Sequence, residues 1–165
     1  MVGQRPPLKK YMLIVAPHTS NWDFFIGVAA RSISGLRSDY LAKDSLFKIP
    51  VVGWFLRFVG GHPVDRSKRS NMVDQVVDLY NQKEEFVLTI TPEGTRSYNP
   101  NWKTGFYRIA HKANIPIVMV AFDYAHKQVV YNEPFYPTGD LDKDMEYIKA
   151  YYRTIKGKYP ELGVI

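Results

Sequence analysis

The chain has 165 residues, with 22 Lys+Arg against 16 Asp+Glu, a formal net charge of +6. That length predicts one domain with a sizeable core, and 45% apolar against 23% charged residues excludes a disordered chain. Cysteine is absent from the sequence, which removes disulfides, thiolate-ligated zinc, iron–sulfur clusters and any cysteine nucleophile. His18, His62, His111 and His126 are scattered without ligand spacing, so no metal is expected. A basic balance with 15% aromatic residues suits an anionic partner, whether nucleic acid, a lipid surface or a phosphorylated substrate.

The first ten residues hold two prolines and three basic residues and run straight into an apolar segment. Pro17, His18 and Asp23 interrupt that segment, unlike the longer apolar core of a signal peptide. No run approaches the roughly 18 apolar residues that a spanning helix needs, so a soluble or surface-bound chain is expected.

Short apolar runs alternate with amphipathic stretches, which predicts α/β. Residues 11–16 read as a buried strand ending at Pro17, and 21–33 as a helix with Ser20 or Asn21 as its cap. Residues 38–42 read as a short strand. The segment 46–59 is almost wholly apolar and contains Pro50 and Gly53, which predicts a broken helix. It could pack in the core, line an apolar groove, or dip into a bilayer interface. A helix follows over 70–83, with Met72, Val73, Val76, Val77 and Tyr80 on one face. Strands are expected over 86–90, 115–122 and 128–131, and a helix over 102–114. Leu141, Met145, Ile148, Tyr152, Ile155 and Tyr159 alternate spacings of four and three, which makes one helical stripe. The whole is expected to be a single domain, 1–165, with a central, mostly parallel sheet flanked by helices.

Three polar segments stand at the ends of predicted strands, where α/β folds place chemistry. In the first, Pro17-His18-Thr19-Ser20-Asn21-Trp22-Asp23, positions 18 and 23 would diverge by roughly 140° on one continuous helix. They meet only if His18 lies in the turn before the helix and folds back. An aspartate accepting from one ring nitrogen would leave the other free to take a proton. The alternative is a capped loop histidine. The second segment runs from Gly60 to Arg69, with paired glycines and three cations, Arg66, Lys68 and Arg69, ahead of a helix. It reads either as a phosphate seat or as a solvated basic loop. The third is Thr91-Pro92-Glu93-Gly94-Thr95-Arg96-Ser97, a sharp turn with backbone donors and a cation.

Together these segments resemble the glycerolipid acyltransferases typified by lysophosphatidic acid acyltransferase. His18 and Asp23 match the family's His-x-x-x-x-Asp motif, Gly61 to Arg66 is similar to its second motif, and Pro92 to Ser97 matches its third. Ile115-Pro116-Ile117-Val118-Met119-Val120 is similar to its fourth, an apolar strand with a central proline. Order and spacing agree across residues 11–122. Thr91 stands where the family usually has phenylalanine, and Met119 where a second proline is common. An N-terminal hydrophobic segment found in many relatives is largely missing, and the short form looks most like a compact bacterial subgroup.

The resemblance implies transfer of a fatty acyl group from acyl-CoA or acyl carrier protein to a hydroxyl of a lysophospholipid such as 1-acylglycerol-3-phosphate, in phospholipid biosynthesis. A non-phosphate lipid acceptor such as a lyso-aminolipid is the alternative. It implies His18 as general base with Asp23 orienting it, and Arg66, Glu93, Gly94, Thr95 and Arg96 as substrate-binding residues, with Lys103 a further candidate. Backbone N–H groups near the Glu93-Gly94-Thr95 turn would serve the oxyanion. Without cysteine or a Gly-x-Ser-x-Gly elbow, direct attack in a ternary complex is favoured over an acyl-enzyme. No cofactor is implied beyond the donor substrate. The expected partners are the lysolipid, the acyl carrier and a membrane surface rather than nucleic acid, with the chain cytoplasmic and peripheral at the inner membrane face. Two rival classes are a phosphate-handling hydrolase and a non-catalytic module that binds anionic membranes.

Overall fold

A computed structural model of the chain describes residues 1–64 and 72–164. Its elements, in order, are β1 (Lys10–Ala16), α1 (Trp22–Ile33), β2 (Asp39–Lys43), α2 (Asp44–Phe47), α3 (Pro50–Phe58), β3 (Gly61–Val64), α4 (Met72–Gln82), β4 (Phe86–Ile90), α5 (Gly105–Lys112), β5 (Ile117–Asp123), β6 (Gln128–Tyr131) and α6 (Leu141–Arg153). Six strands form one sheet in the order β3-β2-β4-β1-β5-β6. The neighbours up to β5 are parallel, and β6 returns antiparallel on β5.

β1 sits between β4 and β5, and β1 and β5 are buried along almost their whole length. Such strands read as continuous apolar runs because both faces are covered. Alternation still sorts the side chains. Tyr11, Leu13, Val15, Val118, Val120 and Phe122 pack on one face with Ile26 of α1 and Leu36 just beyond it. Met12, Ile14, Leu88, Ile117 and Met119 pack on the other, against Val76, Val77 and Tyr80 of α4, Phe106 and Ile109 of α5, and Met145, Ile148 and Tyr152 of α6. Tyr80 and Tyr152 bring polar hydroxyls into this core and satisfy them on strand carbonyls: Tyr80 donates to Tyr11 O at 2.9 Å, and Tyr152 to Ile14 O at 2.9 Å.

One expected break is present, and two other segments differ from the sequence expectation. The apolar segment 46–59 does break, into α2 and α3, because Pro50 has no N–H to donate and holds Ile49 extended at ψ 116°. Gly53 then lets α3 approach the Phe47 carbonyl, where a Cβ would collide. The start of the Gly60–Arg69 segment, read as loop, is the edge strand β3. Pro63 is tolerated there because an edge strand has a free side, and the pairing comes from β2. The last helix ends at Arg153, so Ile155 and Tyr159 lie beyond it. The chain turns back there and runs beneath the loop that follows β1, with Tyr159 N donating to Thr19 Oγ1 at 3.2 Å.

Candidate active site

His18 follows β1 and Glu93 follows β4, two adjacent parallel strands. Their loops therefore meet at the carboxyl edge of the sheet, the usual ligand side of an open α/β fold. α1 begins at Trp22, which leaves His18 in the preceding turn and puts Asp23 in the first helical turn. His18 Nδ1 stands 3.1 Å from Asp23 Oδ2. The Asp23 side chain is 1% exposed and that of His18 16%.

Asp23 also organises the turn itself. Its Oδ2 accepts the backbone N–H groups of Thr19 and Ser20, each at 2.9 Å, and its Oδ1 accepts the Tyr124 hydroxyl at 2.7 Å. Of the two expected caps, Asn21 makes no side-chain hydrogen bond, whereas Ser20 Oγ accepts the Trp22 N–H at 3.2 Å, and Asp23 ties down the turn ahead of the helix. Burial works to raise its pKa. Hydrogen bonds from His18, Tyr124 and the Ser20 backbone overcome that and hold it below the ordinary aspartate value. Asp23 is thus an ionised acceptor, which favours a ring proton on His18 Nδ1 and leaves Nε2 with a lone pair.

Glu93 is 5% exposed. Its Oε1 accepts the backbone N–H of His18 at 2.9 Å, and its Oε2 is buried without a hydrogen-bond partner among the described residues. Burial pushes its pKa up to about 7, and the Asp23 charge nearby adds to the rise. The carboxyl group thus faces the His18 main chain. Gly94 turns the backbone at φ +67°, a conformation that favours glycine. Its N–H donates to Thr91 O at 3.1 Å, so that donor is committed within the turn. The turn is tied by Asn99 Nδ2 to Glu93 O at 2.8 Å and by Lys103 N to Pro92 O at 2.9 Å. The Lys103 side chain lies across Gly94, where a Cβ would come within 2.7 Å of Cε. Thr95 and Arg96 are exposed.

His18, Asp23, Gly94, Arg96 and Lys103 line one cavity of about 890 Å³. Beyond this polar end the walls are largely apolar: Leu13, Val15, Gly27, Leu36 and Val120 on the α1 side, and Val73, Phe106 and Ile109 towards α4 and α5. Five of the sequence-derived candidates thus stand together, Glu93 directly behind them, while Arg66 lies outside the described residues. Lys103, a secondary candidate, lines the cavity beside Arg96. Tyr124 was not singled out from the sequence. The signal for it was available, since it directly follows an apolar strand beside β1, the kind of position that marked His18 and Glu93. Among the described residues no cluster of three or more His, Cys, Asp or Glu could hold a metal ion.

A family profile described as Acyltransferase matches residues 3–123, which span β1 to β5 and every loop of the site. The chain belongs to the acyltransferase family. It is similar to the 1-acyl-sn-glycerol-3-phosphate acyltransferase of Saccharomyces cerevisiae, 35% identical over 127 residues that cover 73% of this chain and 41% of that protein. The same-named protein of Streptococcus pneumoniae is 29% identical over 111 residues, 67% of this chain and 40% of that one. The chain therefore spans less than half the length of these relatives. Among solved structures it resembles the 1-acyl-sn-glycerophosphate (LPA) acyltransferase PlsC of Thermotoga maritima, at a TM-score of 0.62 and 23% identity, over 88% of this chain and 64% of that one. The acyltransferase chain thus has the single α/β domain and mostly parallel sheet that its sequence predicted.

Proposed function

We propose that this chain transfers a fatty acyl group from a thioester, acyl-CoA or acyl carrier protein, to a hydroxyl of a lysophospholipid such as 1-acylglycerol-3-phosphate. The observation that carries this reading is the His18–Asp23 pair at the polar end of a largely apolar cavity. A fatty chain needs such walls, and a hydroxyl nucleophile needs such a base. In the reaction, His18 Nε2 takes the proton as the acceptor oxygen attacks the thioester carbonyl. Asp23 stabilises the imidazolium that forms. The tetrahedral intermediate collapses with breakage of the carbon–sulfur bond, and the imidazolium protonates the leaving thiolate, which restores the base. Lys103 and Arg96 on the cavity wall, with the exposed turn at Thr95, serve the oxyanion and the acceptor head group, and the family resemblance assigns Arg66 to the head group as well. Glu93 supports the acceptor site from behind by holding the His18 loop.

The membrane reading rests on α3 and the start of α1. In α3 only Gly53 is buried, while Trp54 is 66% and Phe58 75% exposed, so core packing does not explain its apolar face. Trp54 and Phe58 stack at 5.6 Å between ring centroids, and Trp22 and Phe25 expose a second aromatic pair on α1. No helix among the described residues is long and apolar enough to cross a membrane. We infer peripheral attachment to anionic lipid at the inner membrane face, with these aromatics at the interface.

The deciding experiment is incubation with labelled acyl-CoA or acyl carrier protein and a panel of lysolipids, phosphate-bearing and not, with products identified by mass spectrometry. Acylated 1-acylglycerol-3-phosphate, lost in His18→Ala, is expected. Acylation of a lyso-aminolipid alone would move the acceptor class, and no product from any pair would overturn the enzyme reading.

A further inference from the structure

We propose that Tyr124 is a positioning residue for the His18–Asp23 pair, its hydroxyl holding Asp23 Oδ1 so that Oδ2 is presented to His18 Nδ1. This rests on His18 as the base named above. The tyrosine comes from the end of β5, whose parallel register with β1 pairs Val15 with Val120 and Ala16 with Ala121. It therefore reaches across from the next strand end to the far oxygen of Asp23, at 2.7 Å. Its backbone is anchored too, with Tyr124 N donating to Lys156 O at 2.9 Å. Burial and the adjacent Asp23 carboxylate raise the Tyr124 pKa, so the phenol keeps its proton and stays a donor. The two carboxylate oxygens have separate tasks: Oδ2 serves His18 and the Thr19 and Ser20 amides, and Oδ1 serves Tyr124.

A hydroxyl donor on Asp23 withdraws part of the carboxylate charge from the imidazole. Without it, Asp23 stabilises the imidazolium more strongly, and His18 holds its proton to higher pH. Among the described residues, the other ionisable groups around the pair are Glu93 behind the loop, Arg96 and Lys103 on the cavity wall, and Tyr159 beside Tyr124. None of them changes in the variants below.

The test is an NMR titration of the His18 imidazole in the full chain, without substrate, in wild type and Tyr124→Phe. The phenylalanine keeps the ring and removes only the donor. The His18 pKa should rise by roughly half a unit or more, and acyl transfer should fall several-fold near pH 6.5 and recover as the pH rises. Site-specific replacement of Tyr124 by a fluorotyrosine, a more acidic phenol and stronger donor, should move the His18 pKa the opposite way. In an Asp23→Asn background both shifts should vanish. An unmoved His18 pKa in folded Tyr124→Phe, shifts of the same sign in both variants, or shifts that survive Asp23→Asn would each overturn the proposal. Because the titration needs no turnover, the expected shifts without any acyl transfer would uphold the positioning role and reject the acyltransferase reading instead.

Discussion

Glu93 Oε1 accepts the His18 backbone N–H at 2.9 Å, so the carboxyl group after β4 holds the main chain of the loop after β1. That contact is made by an acid whose folded pKa is about 7, against 4.5 for the ordinary side chain. The folded chain therefore binds this proton more tightly than the unfolded chain. The resulting stabilisation is fully present below about pH 4.5 and is lost as the pH rises to about 7. Glu93→Gln has no such proton to lose. Its stability relative to wild type should climb between pH 5 and 7 and level off above, a change on the order of 2–3 kcal/mol. Melts at four pH values check it, and a pH-independent difference would contradict the buried neutral acid.

Loss of the proposed base should be severe and non-additive. His18→Ala is expected to lower acyl transfer by about 10² to 10⁴ with little change in the melt. Asp23→Asn loses both the imidazolium partner and an acceptor for the Thr19 and Ser20 amides, so it should lower activity and stability together. The double variant should show a rate close to His18→Ala alone. Additive rate losses would mean that the two residues act separately.

Head-group recognition should separate from donor binding. If the acceptor bears a phosphate, Arg66→Ala should raise the acceptor KM and leave the donor KM nearly unchanged. A charge-assisted bond contributes about 1.5–3 kcal/mol, or roughly ten- to a hundred-fold. Steady-state kinetics with both substrates varied gives the answer, and an unchanged acceptor KM points to an uncharged acceptor or another seat.

Gly27 faces the cavity from α1, and a Cβ there would stand 3.5 Å from Phe122 Cζ, an ordinary contact. Gly27→Ala should fit and add about 0.5–1 kcal/mol of helix stability. Gly27→Leu should fill cavity volume and shift product profiles towards shorter acyl chains. Identical chain-length profiles for the two variants would place the acyl chain elsewhere.

Vesicle binding should depend on α3. Trp54→Ala with Phe58→Ala should abolish most binding to anionic vesicles, and added salt should weaken what wild type shows. Equal wild-type binding to neutral and anionic vesicles at every salt level would refute the electrostatic part.

How much of this was legible before the structure depends on how local the cause is. β1 and β5 are apolar runs with their own turn signals, and the spacing of His18 and Asp23 already required a folded-back turn. β3 was not legible, since Gly-His-Pro-Val is no strand by propensity and becomes one through its neighbour β2. Nor was the end of α6: the apolar stripe continues to Tyr159, yet those residues leave the helix to contact the β1 loop. The strand-end positions of Tyr124 and Glu93 were visible, but their bonds to Asp23 and His18 span 101 and 75 positions, and no local pattern encodes those partners.

The closing segment at residues 156–159 has a temporal consequence. Lys156 O holds Tyr124, Tyr159 N holds Thr19, and Gly157 fits where a Cβ would press within 2.8 Å of Thr19 Oγ1. The loop that bears His18 is translated early, but its supports leave the ribosome about 140 residues later. A nascent chain can pair β1 with β4 long before the loop that follows β1 is braced. Chains stalled before residue 156 should therefore carry a formed sheet and an unbraced His18 loop, so the final rigidity of that loop would be among the last properties the polypeptide acquires.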